Sequence, residues 1–99
     1  MGKVIVRYKV KADRAEENIG FVKAVYAELA EKKPEGLRYA TFVAEDGVTF
    51  FHFASVDAED NPLAKTDAFK AFQKDLKERC EEPPAPVKLS EVASFNFFG

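Results

Sequence analysis

The stretch from Leu37 to Ser55 reads LRYATFVA, then Glu45-Asp46-Gly47, then VTFFHFAS, and it restricts the fold more than any other part of the chain. Two β-rich runs around an Asp-Gly pair predict a hairpin, because a two-residue type I′ turn needs positive φ at both centres and Asp and Gly tolerate it. With Asp46 and Gly47 as the loop, Glu45 lies opposite Val48. Counting outward pairs Val43 with Phe50, Thr41 with His52 and Tyr39 with Ala54 on one face. Arg38, Ala40, Phe42 and Ala44 meet Thr49, Phe51, Phe53 and Ser55 on the other. Both faces are largely apolar, so each must be covered by something.

The flanking segments supply the covers. Lys3 to Val10 alternates, with Val4, Val6, Tyr8 and Val10 on one side and Ile5, Arg7 and Lys9 on the other, which is a strand with one dry face. Asp13 followed by Glu16 has capping-box spacing and predicts a helix start. Ile19, Val22, Val25, Tyr26 and Leu29 then make an apolar stripe that ends at Lys33-Pro34-Glu35-Gly36. Gly20 inside this helix suggests a close approach by a neighbour. After the hairpin come an acidic loop, Asp57 to Lys65, with Asn61-Pro62 opening a short helical turn, and a second helix capped by Thr66 or Asp67. Its apolar stripe is Phe69, Phe72, Leu76 and Cys80. Pro83, Pro84 and Pro86 should stop it, and a last strand is expected between Val87 and Phe98.

The order strand, helix, strand, strand, helix, strand predicts a single α+β domain over residues 1–99, a ferredoxin-like βαββαβ fold with an antiparallel sheet. Right-handed crossovers put strands one and three at the centre. Ala40 and Ala44 leave room for helices, so the Ala-and-Phe face is expected beneath them. The face with Tyr39, Thr41, Phe50 and His52 is then left open to a second copy. Val43, Phe50, Tyr39 and Val48, with Ile5 and Val92, would form that homodimer interface.

Composition removes other classes. Fifteen Lys and Arg against 17 Asp and Glu, with no basic cluster, give no electrostatic basis for nucleic-acid binding. No stretch reads as a signal-peptide core or spanning helix, and Met1-Gly2 lacks the hydroxyl residue of a myristoylation signal because Val6 stands in its place. The one cysteine, Cys80, allows no internal disulfide. A cytoplasmic protein with no membrane or nucleic-acid partner is expected. There is no phosphate loop, no Cys-x-x-Cys, no Gly-x-Ser-x-Gly and no second histidine, so neither a metal site nor a cofactor is expected. Glu45-Asp46 and Glu81-Glu82 read as solvated charge, Cys80 as a core or boundary residue, and most Phe residues as core.

VIVRYKVKA at the start, PEGLRYATF entering strand two and TDAFKAFQKDL before the Pro-rich link resemble the antibiotic-biosynthesis-monooxygenase-like members of the dimeric α/β-barrel superfamily, nearly end to end. The resemblance implies two ferredoxin-like sheets face to face in a dimer. It also implies a hydrophobic ligand held within the barrel or between each sheet and its helices. Some members of that family oxidise aromatic polyketides with no cofactor; others degrade haem with a Trp, His and Asn set. This chain has no Trp, and Arg7 and Tyr8 stand where that Asn would be.

His52 allows two readings. As a lone histidine among Phe residues it is a hydrogen-bonded structural group. As a catalytic residue it would be a general base, with Tyr39 beside it, Arg7 stabilising an oxyanion, Thr41 and Phe50 lining the site and Asn96 orienting substrate from the far edge strand. The functional expectation is a cofactor-independent monooxygenase acting on a small hydrophobic, aromatic substrate. Its alternative is a non-catalytic dimeric barrel that binds a small molecule or serves in a stress response.

Overall fold

The computed structural model describes residues 2–57 and 60–97. Its chain runs β1 (Gly2–Val10), α1 (Ala15–Lys32), β2 (Leu37–Val43), β3 (Thr49–Val56), α2 (Asp67–Lys74), α3 (Leu76–Arg79) and β4 (Cys80–Leu89). The sheet order is β2-β3-β1-β4 and every pairing is antiparallel, a ferredoxin-like α+β fold with β1 and β3 central.

The hairpin register is the expected one: Thr41 faces His52, Val43 faces Phe50 and Tyr39 faces Ala54. Its turn is not. The Ala44 N–H donates to the Thr49 carbonyl and the Gly47 N–H to that of Ala44, so residues 45–48 make a four-residue loop. Only Gly47 has a positive φ, at 78°, which excludes type I′. Asp46 instead accepts from the N–H groups of Val48 and Thr49 and from the Thr49 hydroxyl. The register survives because the longer loop adds one residue to each side of the same axis.

Local signals place most of the helix ends. Thr66 caps α2 by accepting from the Phe69 N–H, and Asn61 accepts from Leu63 N–H at the start of a 3₁₀ turn, Leu63–Lys65. Lys33 closes α1 in the left-handed conformation. Asp13 does not cap: it lies within a 3₁₀ turn, Ala12–Arg14, ahead of α1, and no side chain caps that turn or the helix. Gly20 has nothing within 4 Å of where a Cβ would stand, so it marks no close approach.

The C-terminal strand departs from expectation. Cys80 opens β4 instead of ending a helix, and Pro83, Pro84 and Pro86 lie inside the strand. An edge strand needs hydrogen bonds on one side only, so prolines missing an N–H are tolerated there, and the register shifts beside Arg7 and Lys9 fit the same interruption. Residues 90–97 form no strand, and Phe98 lies outside the described residues, as do Met1 of the myristoylation reading and positions 58 and 59 of the acidic loop.

The covered face of the sheet is also not the expected one. Tyr8, Val10, Val25, Phe50, Leu63, Phe72 and Leu76 form the core, so the helices cover the face bearing Phe50 and His52, and the Ala-and-Phe face is open. Tyr39, Phe50 and Val48 therefore belong to the core side and not to a helix-free interface. Strand β1 shows why. Lys3, Arg7 and Lys9 share its other face, and those charges keep their water only if the helices pack on the valine side. Val6 pairs with His52 and Tyr8 with Phe50, which carries both hairpin residues to the helix side.

Candidate functional site

Between the sheet and the helices lies a cavity of about 190 Å³, walled by Val4, Val6, Leu63, Phe69, Phe72 and Leu76. Tyr8, Tyr39, His52, Asn61 and Gln73 bring polar atoms to this apolar enclosure. Wider hollows of about 370 and 520 Å³ lie on the helix-free face, along residues 89–97 and beside Arg38, and they are shallower. An enclosed apolar space with a few convergent polar groups is the more ligand-like of these.

His52 sits at the centre of a row of side-chain hydrogen bonds. Its Nε2 is 2.7 Å from the Tyr8 hydroxyl, its Nδ1 is 2.5 Å from the Tyr39 hydroxyl, and Thr41 Oγ1 lies 3.2 Å from the same Nδ1. Thr41 is also 2.8 Å from the Tyr26 hydroxyl. Burial penalises the charged ring and lowers the His52 pKa from its usual 6.5 to about 4, so the imidazole is neutral at pH 7. Desolvation likewise raises Tyr8 and Tyr39 well above the ordinary phenol value, which keeps both as O–H groups.

Behind Tyr8 the row continues. Asn18 Nδ2 donates to the Tyr8 oxygen at 2.9 Å, and Arg79 Nε donates to Asn18 Oδ1 at 3.2 Å. Asn18 and Arg79 are both fully buried. The guanidinium lies 4.5 Å from the Phe21 ring centroid and donates from Nη2 to the Phe72 carbonyl, while Nη1 has no partner. Among the described residues it makes no ion pair.

The sequence-derived site residues thus separate. His52, Tyr39 and Thr41 come together. Phe50 stacks on Tyr8 with ring centroids 5.5 Å apart, in the core beside the cavity and not on its wall. Arg7 faces the other way, opposite Phe51, and pairs with Glu82 at 2.9 Å. Asn96 is on no strand; it adopts a positive φ of 52° beside Ala40, Phe42 and Phe53 on the helix-free side. Tyr8, Asn18 and Arg79 were missed. A signal for them exists in the periodicity, since Asn18 precedes Val22 by four and Arg79 follows Leu76 by three, polar residues in register with apolar stripes.

Among the described residues no cluster of His, Cys, Asp and Glu is placed to hold a metal, and no helix is long and apolar enough to cross a membrane. No family model and no curated protein matches the sequence. Solved structures do match. A Nitrosomonas europaea protein named as an antibiotic biosynthesis monooxygenase superposes with a TM-score of 0.77 at 18% identity, covering 94% of this chain and 100% of that one. A Caulobacter crescentus protein of the same name gives 0.71 at 21%, over 92% and 89%. A Mycobacterium tuberculosis protein gives 0.75 at 17%, over 93% and 95%. At such identities the likeness establishes the fold, and it falls on the family whose resemblance the sequence carries.

Proposed function

We propose that the chain is a cofactor-independent, monooxygenase-like protein that takes a small aromatic substrate into the cavity between sheet and helices. The observation that carries this reading is the neutral His52 held between two tyrosine hydroxyls on the wall of an enclosed apolar space. A substrate that releases its phenolic or enolic proton to solvent at the cavity mouth would be held as the anion against the Tyr39 hydroxyl, with His52 donating to Tyr39 instead of touching substrate. Such an anion can give its electrons to O₂ directly. A hydroquinone and O₂ then yield a hydroxyquinone and water, with one oxygen atom in each product and no external reductant. Cavity size sharpens the substrate class: about 150 Å³ is enough for benzene, so a single ring fits inside, while three fused rings would have to extend through the open side.

The test is oxygen uptake with substrates from one-ring hydroquinones to anthrone. Wild type should favour the one-ring compounds, and His52→Ala and Tyr39→Phe should each lower turnover about 100-fold. Unchanged turnover in variants that melt as wild type does would end the catalytic reading. A second reading, a binding protein without turnover, draws support from the two hydrogen bonds that already occupy both imidazole nitrogens. Saturable binding with no oxygen uptake would select it.

For the helix-free face we propose a second copy of the chain as the cover, in keeping with the family resemblance. Phe42, Val87, Leu89 and Phe97 are exposed there, and Phe97 packs edge-on against Phe53 with ring centroids 6.0 Å apart.

A further inference from the structure

The direction of the buried hydrogen bonds follows from the donor at one end. Arginine can only donate, so Asn18 must present Oδ1 to Arg79 and its amide N–H to the oxygen of Tyr8. The protonated Tyr8 hydroxyl then needs an acceptor, and His52 Nε2 is the one within reach. A neutral imidazole that accepts at Nε2 carries its proton at Nδ1. That N–H faces Tyr39, which is left with its own proton to give.

We infer that Arg79 and Asn18 are positioning residues that fix His52 as its Nδ1–H tautomer, so that every donor from the buried guanidinium to Tyr39 points toward the cavity, making it a site for the anionic oxygen of a phenol or enol. The oxyanion role that the sequence suggested for Arg7 is thereby filled from the opposite side of the sheet. Arg79 supplies its charge through four hydrogen bonds, not by contact. Its burial without a paired carboxylate is costly, since Glu17 acts on it only from beyond ion-pair distance and Nη1 has no partner, and a bound anion would add to that compensation. The ligand part of this inference rests on the proposed function; the tautomer part does not.

The experiment is a long-range ¹H–¹⁵N correlation spectrum of the ¹⁵N-histidine-labelled full chain at pH 7, in which the one histidine reports its own tautomer. Wild type should show Nδ1–H and a pyrrole-type shift at that atom. Asn18→Asp is the informative variant. Its carboxylate can still accept from Arg79 but can no longer donate to Tyr8, so the Tyr8 proton turns toward it and the His52 proton moves to Nε2. The tautomer ratio should invert, by at least about tenfold. An Nε2–H signal in wild type would overturn the inference without any variant having to fold, and so would an Nδ1–H signal persisting in folded Asn18→Asp. The ligand part is read with 4-nitrophenol, whose anion absorbs visibly: wild type should lower its apparent pKa on binding, and Asn18→Asp should not. Nδ1–H in wild type, inverted in the variant but with no phenolate bound, would sink the proposed function and the anion site while leaving the tautomer assignment standing.

Discussion

The two faces of the sheet are almost equally rich in aromatic residues and behave as different materials. On the helix side, Tyr8, Phe50 and His52 are buried, and the polar atoms among them are joined in one row from Arg79 to Tyr39. On the other side, Phe42 is 57% exposed and the flanking charges, Arg7 with Glu82 and Lys9 with Glu81, make their pairs in water. Burial turns a histidine and two tyrosines into a connected system with shifted acidities. Exposure leaves the opposite aromatics as adhesive surface, suited to a partner and to little chemistry.

The largest test of this contrast is the same charge placed on each side. Phe50→Asp, at a position 2% exposed, should abolish folding, because an unpaired buried carboxylate costs as much as a small domain's whole stability. Phe42→Asp should fold with a melting temperature near wild type but shift a dimer to monomer in sedimentation equilibrium. Equal melting of the two variants would erase the distinction between the faces.

Acid should act next, and above about pH 5 chiefly through the covered face. His52 has its folded pKa near 4 and an ordinary value of 6.5 when unfolded, so between those values the unfolded chain binds the extra proton. The stability from this site is complete above about pH 6.5 and is lost as the pH falls through 4, by about 3 kcal/mol. Urea midpoints measured across that window should fall with acid, and in His52→Phe the slope above about pH 5 should be absent, leaving only the carboxylate part near pH 4. A flat profile in wild type would place His52 in water.

The smallest expected effect is on the open face. Arg7→Ala removes an exposed pair with Glu82, and melting and turnover should both stay at wild-type values. A large loss of turnover would show that Arg7 reaches substrate and that the open face, not the cavity, holds the chemistry.

Much of the fold was legible because it depends on local pattern. The hairpin register followed from the position of Asp46-Gly47 even though the turn has another form, since a symmetrical lengthening leaves the pairing unchanged. Thr66 as a cap and the stripes of α1 and α2 were legible for the same reason: spacing of 3.6 residues needs no knowledge of what lies opposite. The edge strand was not, because three prolines read as a linker until the sheet shows that one side of β4 needs no donors.

By itself, then, the sequence determined the first three strands, the two long helices, their order and the meeting of Thr41 with His52, all of which follow from the dihedral and side-chain periodicities of short segments. Which side of the sheet the helices cover was decided only by the tertiary structure. A strand of period two offers both faces at once, and the choice between them is made by the charges of β1, which pairs with β3 of the hairpin although about 40 positions separate them in the chain. The same holds for the row behind His52. Asn18 and Arg79 are 61 positions apart, and only packing α1 against the end of α3 brings a buried cation into line with the one histidine.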